Sequence, residues 1–129
     1  MSDNQLNEYE LQLLDAWEDI AKRGQLTTWI FLALKDSPKH MADIKAFVVH
    51  ATNSVIDADE QSMYRALRRY KDTGMISYKT VPGDGGGERK VYALTTIGRN
   101  VLAAFLQRTV VDLFYQDHII KLITEVNNV

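Results

Sequence analysis

Apolar residues recur every three or four positions over the first fifty residues, which is the spacing of one face of an α-helix. From Leu6 to Ala21 this pattern predicts an amphipathic helix whose apolar face comprises Leu6, Tyr9, Leu13, Ala16, Trp17 and Ile20. Gly24 suits the position after a helix terminus, so we expect the helix to end there. A second, almost wholly apolar helix is predicted for Trp29–Leu34, and a third for His40–His50.

The pattern changes from helical to extended around residue 74. Asp57 or Asp59 is predicted to cap a fourth helix, which reaches Thr73 and is stopped by Gly74. Residues 75–81 and 88–94 then alternate between apolar and polar, as half-buried strands do. The stretch 82–87 between them contains only Pro, Gly and Asp, and it therefore predicts the turn of a β-hairpin.

A long helix is predicted from Thr95 or Thr96 to about Val126. Its apolar stripe includes Leu102, Leu106, Leu113, Ile120 and Ile123, again spaced by threes and fours. An apolar face of this width needs a surface that covers it. Either a second copy of the chain or its own helix Leu6–Ile20 can supply that cover. Trp17 and Trp29 are both expected in the core.

This order of elements predicts a mainly α fold with a small β-hairpin. A helical domain whose last helix is followed directly by a hairpin is a winged helix-turn-helix. Asp59–Thr73 is then the recognition helix, and the hairpin is the wing. We divide the 129 residues into an amino-terminal amphipathic helix (1–25), a DNA-binding domain (26–97) and a carboxy-terminal dimerisation helix (98–129).

Charge changes the picture only when it is followed along the chain. The whole chain has a net charge of −2, yet residues 61–92 hold seven Lys and Arg against three Asp and Glu, a net of +4. A basic segment in an otherwise acidic chain is typical of a local surface that binds a polyanion. Because this segment coincides with the recognition helix and the wing, it favours duplex DNA as the partner.

The candidate DNA-contacting residues lie on the side of the recognition helix opposite Met63, Leu67 and Tyr70, which are spaced to face the core. Arginine in the major groove reads guanine through two hydrogen bonds, and polar side chains near the helix start reach bases or phosphates. In the wing, basic residues flank a glycine-rich tip that can approach the DNA backbone closely. The predicted residues are Gln61, Ser62, Arg65, Arg68 and Arg69 on the helix, with Lys79, Arg89 and Lys90 on the wing.

Other classes of function lack their signals. The chain contains no cysteine, and His40, His50 and His118 lack the spacing of metal ligands, so we expect neither a metal site nor a cofactor. No carboxylate motif points to acid–base chemistry, and an enzyme is not expected. No apolar run reaches the ~18 residues that span a bilayer, and the amino terminus is acidic. A cytoplasmic protein is the expectation.

Two segments carry a resemblance to a known family. Ser62–Tyr70 (SMYRALRRY) and Arg89–Gly98 (RKVYALTTIG) resemble the recognition helix and the end of the wing in the PadR-like transcriptional regulators. The similarity extends over about Leu26 to Val101. Arg65 stands where that family usually has proline, which adds a positive charge.

The resemblance implies a homodimeric repressor that binds an inverted repeat and dimerises through its carboxy-terminal helix. It also implies that the Tyr64 hydroxyl contacts a phosphate. The alternative to a core position for Trp29 is that Trp29, Phe105 and their neighbours line an apolar cavity for a small hydrophobic effector at the dimer interface, as the multidrug-binding pockets of some relatives do. The alternative function is a protein-interaction module of the same fold that does not bind DNA. In that case the acidic amino-terminal helix and the long helix form the interface.

Overall fold

The computed structural model describes residues 5–127, and the fold that it shows is mainly helical with a small antiparallel sheet. The helices are α1 (Glu8–Ala33), α2 (Met41–Ala51), α3 (Glu60–Asp72), α4 (Thr96–Phe105), α5 (Asp112–Phe114) and α6 (Asp117–Asn127). The strands are β1 (Lys39–His40), β2 (Ile76–Pro82) and β3 (Glu88–Leu94), in the order β1-β3-β2. The predicted winged helix-turn-helix fold is confirmed: α3 is the helix predicted to be the recognition helix, and β2–β3 form the hairpin predicted to be the wing.

One continuous helix, α1, replaces the two helices predicted on either side of Gly24. It begins at a capping box in which the Glu10 N–H donates to Asn7 Oδ1 at 2.8 Å and the Asn7 N–H donates to Glu10 Oε1 at 3.0 Å. Glycine inside a helix costs about 1 kcal/mol relative to alanine, but it keeps its N–H and carbonyl and does not terminate the helix. The prediction of a break at Gly24 was therefore wrong.

The boundaries of α2 and α3 agree with the prediction. Asp59 is the N-cap of α3, since its side chain accepts a hydrogen bond from the Ser62 N–H at 2.7 Å. Thr73 is the C-cap, and Gly74 follows with φ of 83°, a backbone conformation that favours glycine. Side-chain caps and a left-handed glycine are local signals, which explains why the sequence alone locates both ends of this helix.

In the described part of the chain, the sheet contains one strand more than the predicted two. Within β2–β3 the register places Tyr78 opposite Tyr92 and Thr80 opposite Lys90. On the far side of β3, the two residues of β1 pair with Val91 and Tyr92. A strand of two residues is too short to show alternation, so the hydrophobic pattern does not reveal β1.

The predicted long helix is interrupted. After α4 the backbone adopts π-helical geometry over Leu106–Val111, here called the π segment, and it bends again at Tyr115 and Gln116 before α6. Gln107 Nε2 donates to Asp112 Oδ1 at 2.7 Å, five residues along. An apolar spacing of three and four fits an α-helix with or without one wider turn, so it does not predict this interruption.

The core joins the carboxy-terminal part of α1 to α2, α3, the wing and α4. Its fully buried members include Ile30, Leu34, Ile44, Met63 and Leu67. Met63, Leu67 and Trp29 lie in or against this core as predicted. Leu102, predicted to contact a second copy, is only 6% exposed and belongs to the chain's own core, because α4 packs on the winged-helix domain.

Two apolar surfaces remain exposed. Trp17, predicted in the core, is 73% exposed because the first half of α1 extends away from the winged-helix domain, and Tyr9, Leu13 and Ile20 are exposed beside it. The second surface comprises Phe105, Leu113, Ile120, Leu122 and Ile123 on α4–α6. Since both surfaces stay open, the helix Leu6–Ile20 does not cover the carboxy-terminal helices of its own chain. Within residues 5–127, no helix is long and apolar enough to cross a membrane.

Candidate nucleic-acid interface

The orientation of α3 is set by three side chains on its inner face. Met63 and Leu67 are buried, and the Tyr70 hydroxyl shares a hydrogen bond with Thr27 Oγ1 at 3.0 Å. The Tyr70 ring also packs edge-on against Phe31, with 4.9 Å between centroids. Because these contacts hold the inner face against α1, the outer face is free to approach a ligand. Gln61, Arg65, Arg68 and Arg69 are all exposed there, and Ser62 is half-buried.

The amino terminus of α3 already has an anion. The Ser62 N–H and hydroxyl hydrogen-bond the Asp59 carboxylate and hold its pKa below the usual value of 3.8, with a further contribution from the charge of Arg65. The partial positive charge of the helix terminus is thus offset by Asp59. The backbone amide and the hydroxyl of Ser62 are therefore both engaged with Asp59.

The predicted cations of the wing lie on both of its faces. Opposite residues of paired strands share a face, and successive residues alternate. Lys79 lies opposite Val91 and Arg89 opposite Val81 on one face, whereas Lys90 shares the other face with Tyr78 and Tyr92. Arg89 extends towards the tip, where Nη2 lies 4.0 Å from Asp84 Oδ2.

Lys90 belongs to a cleft between α3 and the wing, here called the wing cleft. It has a volume of about 140 Å³ and is lined by Tyr64, Leu67, Arg68, Lys71, Asp72, Tyr78, Lys90 and Tyr92. The structure thus brings together three predicted residues, Tyr64, Arg68 and Lys90. The described residues that line the cleft include three cations and one carboxylate, so the cleft has a net positive charge that suits an anion.

Lys71 and Tyr78 also line the wing cleft, although neither was among the predicted site residues. Lys71 follows Tyr64 and Arg68 at helical spacing, so the periodicity of α3 could have identified it. Tyr78 could have been found from the hairpin register, because it lies directly opposite Tyr92. Burial raises the pKa of Tyr92, the neighbouring Tyr64 and Tyr78 raise it further, and Arg68 opposes them. The Tyr92 hydroxyl consequently stays neutral.

Arg69 lies on the other flank of α3, away from the wing cleft. It lines a groove of about 410 Å³ between α1, the end of α3 and α4, here called the α1–α4 groove. The groove has Phe31, Tyr70, Met75, Val101, Leu102 and Phe105 as its apolar lining, with Arg23 and Arg69 as cations. Among the described residues that line it, Phe105 is present and Trp29 is not. Arg68 and Arg69 thus lie on different flanks of α3.

Comparison with known proteins gives one family. Residues 30–104 match the family described as "Transcriptional regulator PadR-like family". A PadR-like transcription factor from Bacteroides fragilis is 25% identical, with a TM-score of 0.58, over 88% of this chain and 96% of the other. No curated protein matches the chain.

Two further solved structures are similar. PadR of Bacillus subtilis, in complex with operator DNA, is 25% identical with a TM-score of 0.59, and the match spans 64% of this chain and 48% of that one. A PadR family regulator from Eggerthella lenta has a TM-score of 0.68 over 79% of this chain and 87% of its own, at 18% identity. The last likeness concerns the fold alone.

Proposed function

The chain belongs to the PadR-like family of transcriptional regulators, and from this premise we propose that it is a dimeric repressor that binds an inverted repeat in duplex DNA. Members of this family are regulators and not enzymes. The observation that carries the proposal is the coincidence of an exposed recognition helix with a cationic cleft on the adjacent wing.

In the proposed complex, the first turns of α3 enter the major groove. Gln61, Arg65 and Arg68 face the base edges, where an arginine reads guanine through two hydrogen bonds. Tyr64 and Lys90 face the phosphates beside the wing cleft, and contacts of this kind fix the register of the protein on the duplex. Lys79 and Arg89, on the opposite face of the wing, meet the flanking backbone.

The dimer is supported by the exposed apolar surfaces. A monomer rarely leaves a contiguous apolar surface of this kind open to water. Leu113, Ile120 and Ile123 on the carboxy-terminal helices then contact a second copy, with Leu106 at the margin and the first half of α1 packed alongside. Two-fold symmetry places the recognition helices about 34 Å apart, one turn of B-DNA.

A small hydrophobic effector that releases the DNA is the finer part of the proposal. The α1–α4 groove supports it, since apolar side chains line the groove and Tyr70 and Arg69 of the recognition helix form part of its wall. A ligand bound there contacts α3 directly. Because coupling is reciprocal, a compound that binds the free protein more tightly than the DNA-bound protein must weaken DNA binding by the same factor.

The alternative is a protein-interaction module that does not bind DNA. Outside residues 61–92 the chain has eight Lys and Arg against fourteen Asp and Glu, and this acidic remainder suits a basic protein partner. Salt-insensitive or absent duplex binding, with one protein partner co-purifying, would favour it.

The experiment that separates the two is selection of bound duplexes from a random pool at about 0.1 M salt, followed by sequencing. Enrichment of an inverted repeat with half-sites about ten base pairs apart supports the dimeric regulator. No enrichment by folded protein overturns it in favour of the interaction module.

A further inference from the structure

The aromatic ring of Tyr78 lies close to the ammonium groups of two lysines from different elements. Lys90 Nζ, from β3, lies 4.6 Å from the centre of the Tyr78 ring, and Lys71 Nζ, from the last turn of α3, lies 5.9 Å from it. Both distances are within the ~6 Å over which an aromatic face attracts a cation. One side chain of the wing thus contacts cations of the wing and of the recognition helix together.

The hairpin register explains this placement. Tyr78 lies directly opposite Tyr92, so Lys90 is its diagonal neighbour on the same face, within reach of a long side chain. Tyr92 is only 5% exposed, and its ring centre lies 5.8 Å from that of Tyr78. The buried ring supports Tyr78 from the core side, which leaves Tyr78 37% exposed towards the cleft and the solvent.

Two ammonium groups at one ring repel each other unless an anion lies between them. Asp72 offsets part of the charge, since its Oδ1 lies 3.9 Å from Lys71 Nζ. Arg68 lines the same cavity and adds a third cation. A ligand with one negative charge and several acceptor oxygens fits this surplus, and a phosphate diester of the DNA backbone has that chemistry.

We propose that Tyr78 is a positioning residue that holds Lys71 and Lys90 over the wing cleft, which thereby takes one backbone phosphate between the recognition helix and the wing. The inference rests on the proposed DNA binding. Tyr78 acts through the lysines: its ring limits their rotamers before DNA arrives, so less side-chain entropy is lost when the phosphate binds.

Four variants test this inference by fluorescence anisotropy with the selected duplex. Tyr78→Phe keeps the ring face, Tyr78→Leu removes it, and Lys90→Ala is made in both the wild-type and the Tyr78→Leu backgrounds. The control is Arg89→Ala, likewise in both backgrounds, because Arg89 lies on the opposite face of the wing. Melting temperatures identify any variant with a damaged fold, and Tyr78→Ile, which suits a strand, replaces Tyr78→Leu if that variant melts early.

We expect Tyr78→Phe to bind as the wild type does, and Tyr78→Leu to bind about two- to fivefold more weakly for each half-site. Lys90→Ala should weaken binding less in the Tyr78→Leu background than in the wild type, whereas the effect of Arg89→Ala should be equal in both. Equal Lys90→Ala losses in the two backgrounds, or an equal loss in Tyr78→Phe and Tyr78→Leu, overturn the role of Tyr78 and leave the DNA-binding proposal standing. A wild-type protein that binds no duplex overturns both.

Discussion

Gly98 packs against the carbonyl oxygen of Met75 so closely that a Cβ atom on residue 98 would overlap that oxygen. The same corner is tied by Thr95, whose N–H donates to the Met75 carbonyl at 3.1 Å and whose hydroxyl is 2.6 Å from the Gly74 carbonyl oxygen. Gly74 and Met75 connect α3 to the wing, and Gly98 lies in the first turn of α4. This contact therefore sets how the recognition helix is oriented relative to the carboxy-terminal helices.

Gly98→Ala should destabilise the protein by about 1–3 kcal/mol, because the added methyl group must displace backbone. Gly24→Ala is the matched control, because that position lies inside α1 with open space around it. Alanine there should raise the free energy of unfolding by about 0.5–1 kcal/mol. Urea unfolding at one protein concentration measures both changes. Equal effects of the two substitutions would contradict the close contact at Gly98.

The Asp59 cap makes stability depend on pH at the acid end. Because the pKa of Asp59 is lower in the folded chain than its usual value of 3.8, the ionised cap stabilises α3 above that value. This contribution is lost as the pH falls below about 4 and through the folded-state pKa. Asn caps helices as well as Asp does but does not titrate in this range.

Asp59→Asn should therefore match the wild type near neutral pH and lose less stability between about pH 4 and pH 2. Thermal melts at several pH values measure the stability of both proteins. Subtracting one stability from the other removes the contribution of all other carboxyl groups, which the two proteins share. Parallel stability curves for the two proteins would show that the cap carries no pH dependence.

The dimer proposal predicts a strong effect of charge at Ile123, which is 50% exposed on α6. A symmetric interface buries this side chain twice, and each buried isoleucine is worth about 1.5–3 kcal/mol. Ile123→Glu should accordingly raise the dimer dissociation constant by about tenfold or more in analytical ultracentrifugation. Lys121→Gln on the same helix is the control and should sediment as the wild type does. Identical masses for wild type and Ile123→Glu would contradict a dimer through α6.

Arg68 and Lys90 line the same cleft, yet we expect different effects on DNA binding. Arg68→Ala should cost about 1–3 kcal/mol on the specific site if the side chain reads a base, with less loss on unrelated duplexes. Lys90→Ala should weaken all duplexes alike and reduce the slope of log affinity against log salt by about one. Salt titrations on specific and scrambled duplexes measure both. Unchanged specific binding by Arg68→Ala would remove it from the base-reading set.

The sequence predicts those features of the fold that depend on neighbouring residues. Asp59, Gly74 and the Pro-Gly turn after Val81 locate the recognition helix and the wing because caps and turns are local. It does not predict whether α1 continues through Gly24, since a glycine inside a helix and a glycine after one look alike. Nor does it separate Leu102, which is buried in its own chain, from Ile123, which is exposed, because both lie on one periodic stripe.

The candidate interface shows the same division. The charge of residues 61–92 and the helical period identify Arg68 and Lys90, and the family resemblance adds Tyr64. The fold brings all three to one cleft. That Arg69 turns towards α1, and that Lys79 and Arg89 lie behind Lys90, depends on packing and register. Charge does not identify Tyr78, because this uncharged residue contributes only the face of its aromatic ring to the cleft.

Sequence-specific recognition is tested most directly by titrating the wild-type protein onto the selected inverted repeat and onto a scrambled duplex of equal length and composition. Both titrations use the same salt concentration, since the phosphate contribution is common to the two duplexes. We expect the inverted repeat to bind at least about a thousandfold more tightly. Equal affinity for the two duplexes would contradict recognition of bases by α3.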